Sequence, residues 1–343
     1  MNATTYGVDI AKNVFQVHWV EADSGEIHRK KLTRSKFTEF FARREAGAVV
    51  MEACAGAHHW GRTLTGLGHR VELLPAHQVR AFVSRNKDDA ADARGIWLAA
   101  QHQDIRRVPV KSAQQQAQLS THRVRSHWIS VRTATINMSR GLLYEFGIAL
   151  PKGRPAALRW INEHRVQIEE QLPPAMVRLL QHLLQTLKDL DQHVLTMERE
   201  IALTPDDTAK RLRQVPGIGP LGSTALSATL GDGSAWRNAR EFACCLGLTP
   251  RHSGTGGKVH MGGITKRGDP YLRTLLIHGA RNLAKVPKPP EWIARMLLRR
   301  PFNVVATAVA HKLARVAWAM VAHGTRYEPR AAPAAGCNSQ QPV

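Results

Sequence analysis

Tyr6-Gly7-Val8-Asp9-Ile10, then Val14-Phe15-Gln16-Val17-His18-Trp19-Val20, then Ile27 to Leu32 beyond the turn formers Asp23-Ser24-Gly25, is the stretch that decides the fold. Runs rich in β-branched and aromatic residues, bounded by turn residues at this spacing, read as three strands in hairpin order. Further along, Ser35 to Arg44 reads as a helix. Ala48-Val49-Val50-Met51 is a short apolar run that suits a buried strand, and it ends at Glu52. Val71-Glu72-Leu73-Leu74 reads as another strand, and the Ala-rich Asp88 to Gln101 as a helix. Three hairpin strands followed by strand–helix units predict a mixed sheet with helices packed on it. Residues 1–110 are therefore expected to form an α/β domain.

From Ser112 the pattern becomes helical. Val124, Trp128, Val131, Thr135, Met138 and Leu142 recur at spacings of four and three, and Leu180, Leu183, Leu187, Leu190, Val194, Met197 and Ile201 repeat that spacing. The second seam has the period of a coiled coil over three heptads, closing either within one chain or between two. Residues 111–204 thus read as a helical, coiled-coil linker. Residues 205–327 read as helices joined by glycine turns, and the Ala-, Pro- and Gln-rich residues 328–343 as a disordered tail.

The chain has 343 residues, with 48 Lys and Arg against 27 Asp and Glu, a net charge of +21. An excess of this size repels itself in a compact fold and points to a polyanionic partner, nucleic acid above all. A membrane surface would need an anchor. Met1 to Lys12 lacks the basic start and apolar core of a signal peptide, and no run of 18 apolar residues occurs, so a cytoplasmic protein without a membrane partner is expected. Cys54, Cys244, Cys245 and Cys337 form no CxxC pair, which gives no sign of a zinc site or a disulfide framework.

Asp9 lies inside an apolar strand and Glu52 ends another, while Asp89 and Asp92 are three apart on a helix and share a face. Four carboxylates gathered at one sheet edge are hard oxygen donors of the kind that hold a pair of Mg²⁺ ions on a phosphodiester. Each residue alone has a plainer reading as a turn or helix-terminal cap; the four together with the charge favour a nuclease-like site.

Val215-Pro216-Gly217-Ile218-Gly219-Pro220, set between basic residues and an Ala-rich helix, resembles a helix-hairpin-helix, in which Gly217 and Gly219 would let the backbone approach phosphate. Its plainer reading is a tight interhelical turn. Downstream, Pro250-Arg251-His252-Ser253-Gly254-Thr255-Gly256-Gly257-Lys258 and Met261 to Asp269 pack hydroxyls, glycines and cations into one loop. Arg251, Lys258, Lys266, Arg267 and Arg273 are candidate phosphate contacts, and Ser253 or Thr255 a candidate nucleophile. A flexible surface loop that only touches phosphate is the plainer reading.

In order along the chain, Gly7 to Lys12, Lys87 to Ala93, Val215 to Pro220, Gly247 to Arg251 and Gly262 to Arg273 resemble the DEDD insertion-sequence transposases, from the first motif to about Arg281. That resemblance implies an RNase H-like, RuvC-like N-terminal domain holding Mg²⁺ through Asp9, Glu52, Asp89 and Asp92. It also implies a helical C-terminal transposase domain whose hydroxyl links covalently to DNA. The serine usual in that family falls on Thr255 here, with Ser253 two residues earlier, so both remain candidates. The resemblance further implies element-end and target DNA as partners, a guide (bridge) RNA, and a homo-oligomer, dimer or tetramer, acting in the bacterial cytoplasm at the nucleoid. Three other readings compete: a junction nuclease using water, an actin-like sugar kinase, and a decayed copy that only binds nucleic acid. The charge and the absence of a convincing nucleotide-phosphate loop in the N-terminal half count against the kinase.

Overall fold

The computed structural model of the chain describes residues 4–21, 23–83, 89–204 and 206–328. Lys87, Asp88, the side chain of Asp89 and the tail beyond residue 328 lie outside the described residues. There are two compact units: Met1–Ala117 with Leu230–Arg237, and Gln118–Thr229 with Asn238–Val343.

The first unit contains β1 (Thr5–Ile10), β2 (Val14–Val20), β3 (Ile27–Thr33), α1 (Arg34–Ala42), β4 (Ala48–Glu52), α2 (Ala57–Gly66), β5 (Arg70–Leu74), α3 (Ala76–Val79) and α4 (Asp89–Ala100). The strands form one sheet in the order β3-β2-β1-β4-β5. The hairpin strands pair antiparallel, and β1, β4 and β5 run parallel. This is the mixed sheet that the sequence predicts. Because side chains alternate across a strand, Val8 and Met51 join the aromatic core of Phe15, Phe37, Phe41 and Trp60 on one face. Phe15 meets Phe37 edge-on at 4.5 Å, the geometry that ring quadrupoles favour. Val50 and Leu74 face the other way, where α4 covers them with Ile96 and Ala99.

The second unit takes most of α5 (Ala113–Tyr144), followed by α6 (Arg154–Glu163), α7 (Arg165–Gln171), α8 (Pro174–Leu203), α9 (Asp207–Leu212), α10 (Pro220–Leu230), α11 (Ala239–Cys245), β6 (Pro250–Thr255), β7 (Lys258–Ile264), α12 (Pro270–Lys285), α13 (Glu291–Leu297) and α14 (Phe302–Ala322). On α8, Leu180, Leu187, Leu190, Val194 and Ile201 are buried by the chain's own helices, so the leucine seam closes within one chain. The opposing face of α5 differs from the expected one. Val124 and Met138 are 41% and 54% exposed; Thr135 of the expected seam is buried, joined by His122, Ile136, Ser139 and Leu143. The reason is electrostatic as well as apolar: α5 meets α8 through Arg125–Glu198 and Arg132–Asp191, with Trp128 stacked on His193. Polar positions that pair across a contact can face inward, and hydropathy alone does not find them.

One further expectation needs correction. The hydroxyl-bearing stretch is a β-hairpin and no flexible loop, so the C-terminal region is helical with one two-stranded sheet added. Helix α14, interrupted in sequence by His311, Lys312 and Arg315, is by length and composition apolar enough to cross a membrane. Nine of its residues are buried, from Val305 to Met320, and it packs on α11 and α12, as a core helix does.

His122 on α5 is 2% exposed and is held on both ring nitrogens, Nδ1 by Tyr271 at 2.9 Å and Nε2 by Thr224 at 3.0 Å. Burial, aided by the Arg125 charge, lowers its pKa from 6.5 to about 4. A lowered histidine pKa means that the unfolded chain binds the extra proton first. The stability from neutral His122 is therefore complete above pH 6.5 and falls as pH drops towards 4, by about 3 kcal/mol in all. Denaturant titrations between pH 7 and 4 should show this slope, and His122→Gln should flatten it.

Candidate active site

The carboxylate site follows from strand register. Val8 pairs with Met51 in the parallel β1–β4 ladder, so the next residues, Asp9 and Glu52, stand side by side at the carboxyl ends of neighbouring strands. Both lie on the α4 face, two residues beyond Gly7 and Val50. Gly7 sets the depth of that helix. A Cβ at this position would fall 2.5 Å from the Ala93 carbonyl oxygen and 2.7 Å from Trp97, so only glycine lets α4 settle on β1. Asp92, next to Ala93, is thereby brought within electrostatic reach of Glu52. Asp9, Glu52 and Asp92 are all half-buried.

Their charges are felt locally. Burial, and then the negative charge of Asp92, raises the Glu52 pKa. The Cys54 thiol is likewise raised, by burial first and then by Glu52 and Asp9. Asp9 and Glu52 thus stand on neighbouring strands, and Asp92 on α4 lies within electrostatic reach of Glu52. Among the described residues no three His, Cys, Asp or Glu side chains stand close enough to hold an ion between them. In kind, however, the donors fit a hard divalent cation, whose charge would offset the burial and the Asp92 repulsion that raise Glu52. Cys54 is a neighbour that the sequence reading did not connect to the site; its place two residues beyond Glu52 was the available signal.

In the second unit, β6 and β7 form an exposed hairpin closed by Gly256-Gly257, with φ of 58° and 79°. Two consecutive positive φ angles define the primed turn that matches strand twist, which is why two glycines sit there. Thr255 pairs with Lys258 and Ser253 with His260. Cross-strand partners share a face, so both hydroxyls, Lys258 and His260 stand in one row. His260 was missed from the sequence, because only register relates it to Ser253. Arg251 donates to the Thr265 carbonyl at 3.2 Å and so ties down the hairpin base.

Beyond β7, Lys266 and Arg267 are exposed, and Lys266 holds a left-handed φ of 56°. Arg273 is committed internally: its Nη1 donates to the carbonyls of Leu246 and Arg267, each at 2.9 Å, and so fixes the loop that carries those two cations. Gly217 is also used for packing. The turn between α9 and α10 lies directly on α12, where a Cβ on Gly279 would fall 1.9 Å from the Gly217 oxygen. Gly219 has open space around it. Turn and helix wall a cleft of about 560 Å³ that Arg213, His278 and Asn282 help to line.

A sheet with clustered carboxylates and a basic, hydroxyl-bearing second unit are the parts of an enzyme that acts on nucleic acid. Comparison with known proteins gives the class. Residues 6–148 match the DEDD IS110 transposase family model, and residues 209–296 match the model described as "Transposase IS116/IS110/IS902 family". The chain is 43% identical over 337 residues to the "Probable family 20 transposase" of Pseudomonas aeruginosa, covering 96% of this chain and 100% of that protein. It is 39% identical over 331 residues to the transposase for insertion sequence element IS1328 of Yersinia enterocolitica, covering 94% of this chain and 98% of that one. The chain belongs to the IS116/IS110/IS902 family of transposases, enzymes that cleave and transfer DNA strands.

Proposed function

We propose that this transposase cuts and rejoins the DNA ends of its insertion sequence through a divalent-metal site and a covalent hydroxyl–DNA intermediate. The observation that carries this reading is the pairing of Asp9 and Glu52 at the carboxyl ends of neighbouring strands, with Asp92 on α4 near enough that its charge adds to burial in raising the Glu52 pKa. Asp89, one turn before Asp92 on the same helix, completes the proposed set. These four carboxylates would hold one or two ions, Mg²⁺ in this reading, which when bound polarise the phosphodiester and stabilise the attacking and leaving oxygens. The domain division follows the same reading: residues 1–110 for metal and phosphodiester, 111–204 as connector, 205–327 for the hydroxyl and DNA grip, and 328–343 as tail.

The hairpin supplies the rest. A Ser253 or Thr255 oxygen attacks phosphorus, its proton leaves, and the DNA strand departs with a free hydroxyl; a later attack by a DNA hydroxyl reverses the link. Register gives each candidate a different neighbour. Ser253 faces His260, a base able to take the proton, whereas Thr255 faces Lys258, a cation suited to the phosphate oxygens. Lys258, Lys266 and Arg267, with Arg213 at the cleft beside the helix-hairpin-helix-like turn, are the proposed DNA contacts, and the +21 charge supports steep salt dependence of binding. Guidance by an RNA and assembly into a homo-oligomer, dimer or tetramer, are part of the reading. The leucine seam of α8, covered within the chain, does not supply that interface.

The test is recombination with purified protein, element ends, flanking RNA and Mg²⁺, comparing Ser253→Ala with Thr255→Ala on denaturing gels with and without protease. One variant alone should lose both the protein–DNA adduct and the product. Cleavage by the parent without any adduct would instead favour a water-using junction nuclease.

A further inference from the structure

The polar chain around His122 is directional. Thr224 Oγ1 lies 2.8 Å from the Pro220 carbonyl oxygen, which can only accept, so the threonine hydroxyl donates there. His122 Nε2–H therefore donates to Thr224 Oγ1 at 3.0 Å, leaving Nδ1 unprotonated to accept from the Tyr271 hydroxyl at 2.9 Å. Arg125 also donates to the Tyr271 oxygen, and its guanidinium is in turn held by Glu198, with Nε–Oε1 at 2.9 Å. One network thus joins α5, α8, α10 and α12 through groups that the proposed chemistry does not use. Buried polar networks with every member satisfied fix a single arrangement.

What this network holds in place is specific. Tyr271 is the second residue of α12, whose N-terminus is capped by Asp269. Five residues, Thr265 to Asp269, separate that helix from the end of β7. Two turns of side chain thus pin the start of α12 from different sides: Tyr271 to α5, and Arg273 to the carbonyls of Leu246 and Arg267. The hairpin is exposed along β6. Its base is held on one side by the segment after α11, where Thr265 N–H donates to the Thr249 carbonyl at 2.9 Å, and on the other by the loop that leads into α12.

We propose that Tyr271 is a positioning residue for strand cleavage: through His122 and Thr224 it sets the first turn of α12, and with it the Lys266–Arg267 loop and the hydroxyl-bearing hairpin. The proposal rests on the reading of that hairpin as the reacting element. Misplacement of a reacting group without loss of binding lowers the rate and leaves affinity intact.

The experiment compares the parent, Tyr271→Phe and His122→Gln on the full chain. Single-turnover cleavage is measured at saturating DNA, together with DNA affinity, melting temperature and amide hydrogen exchange over residues 265–269. Tyr271→Phe keeps the ring but removes the donor, and should slow cleavage about tenfold at unchanged affinity, with faster exchange in the loop. His122→Gln can still accept from Tyr271 and donate to Thr224, and should retain a near-parental rate and loop protection. In nitrogen NMR of histidine-labelled protein, the parental His122 should show protonated Nε2 and bare Nδ1. Parental cleavage and exchange in Tyr271→Phe would overturn the proposal, as would slowing matched in full by loss of folded protein. Loop exchange is read without any chemistry, so a parent that cleaves without an adduct removes the hydroxyl reading and leaves the Tyr271 result to stand or fall separately.

Discussion

Asp9→Asn and Glu52→Gln are expected to abolish strand cleavage while leaving the protein folded and bound to DNA. Each change keeps the side-chain shape and removes one negative charge from a site where burial and the Asp92 charge already raise Glu52. Loss of one ligand to a divalent ion should lower cleavage by about a thousandfold, which corresponds to about 4 kcal/mol of transition-state stabilisation. DNA affinity should stay within about threefold of the parent or tighten slightly, since phosphate contacts by Lys and Arg carry it. Melting temperatures should hold or rise as the repulsion is relieved. Cleavage rates near the parental value in both variants, in a metal titration extended to saturation, would remove these carboxylates from the mechanism.

The second large effect is structural. Gly279→Ala places a methyl group 1.9 Å from the Gly217 carbonyl oxygen, a backbone atom that cannot rotate away. The α9–α10 turn must then lift from α12. Overpacking of this kind costs about 3 kcal/mol, or a fall of about 10 °C in melting temperature for a unit of this size. The same methyl on Gly141, where nothing lies within 4 Å, should be tolerated and serves as the control. Equal melting curves for the two variants would show that the turn is not seated as described.

Much of the first unit was legible because its physics is local. Alternating strands and turn residues gave the order of β1 to β5, and Asp9 and Glu52 stood out as carboxylates in apolar runs. What sequence did not display was their adjacency, which depends on the β1–β4 register and on Gly7 admitting α4. The hairpin was harder. Six exposed residues in β6 carry no hydrophobic alternation, and Gly256-Gly257 between Thr255 and Lys258 was the one local sign of a primed turn. Gly217 and Arg273 were singled out for nucleic acid, yet both are engaged in packing the turn and the loop. A glycine or an arginine in a motif looks the same whether it meets phosphate or its own chain.

The segment Leu230–Arg237 belongs spatially to the first unit, where Trp236 lies 5.4 Å from the Arg106 guanidinium, although more than a hundred residues of the second unit precede it in sequence. A gene fragment ending near residue 117 would therefore encode an unfinished first unit, stripped of a piece that arrives late in translation. A crossover after residue 117 between two relatives would therefore join the first unit of one to the Leu230–Arg237 segment of the other.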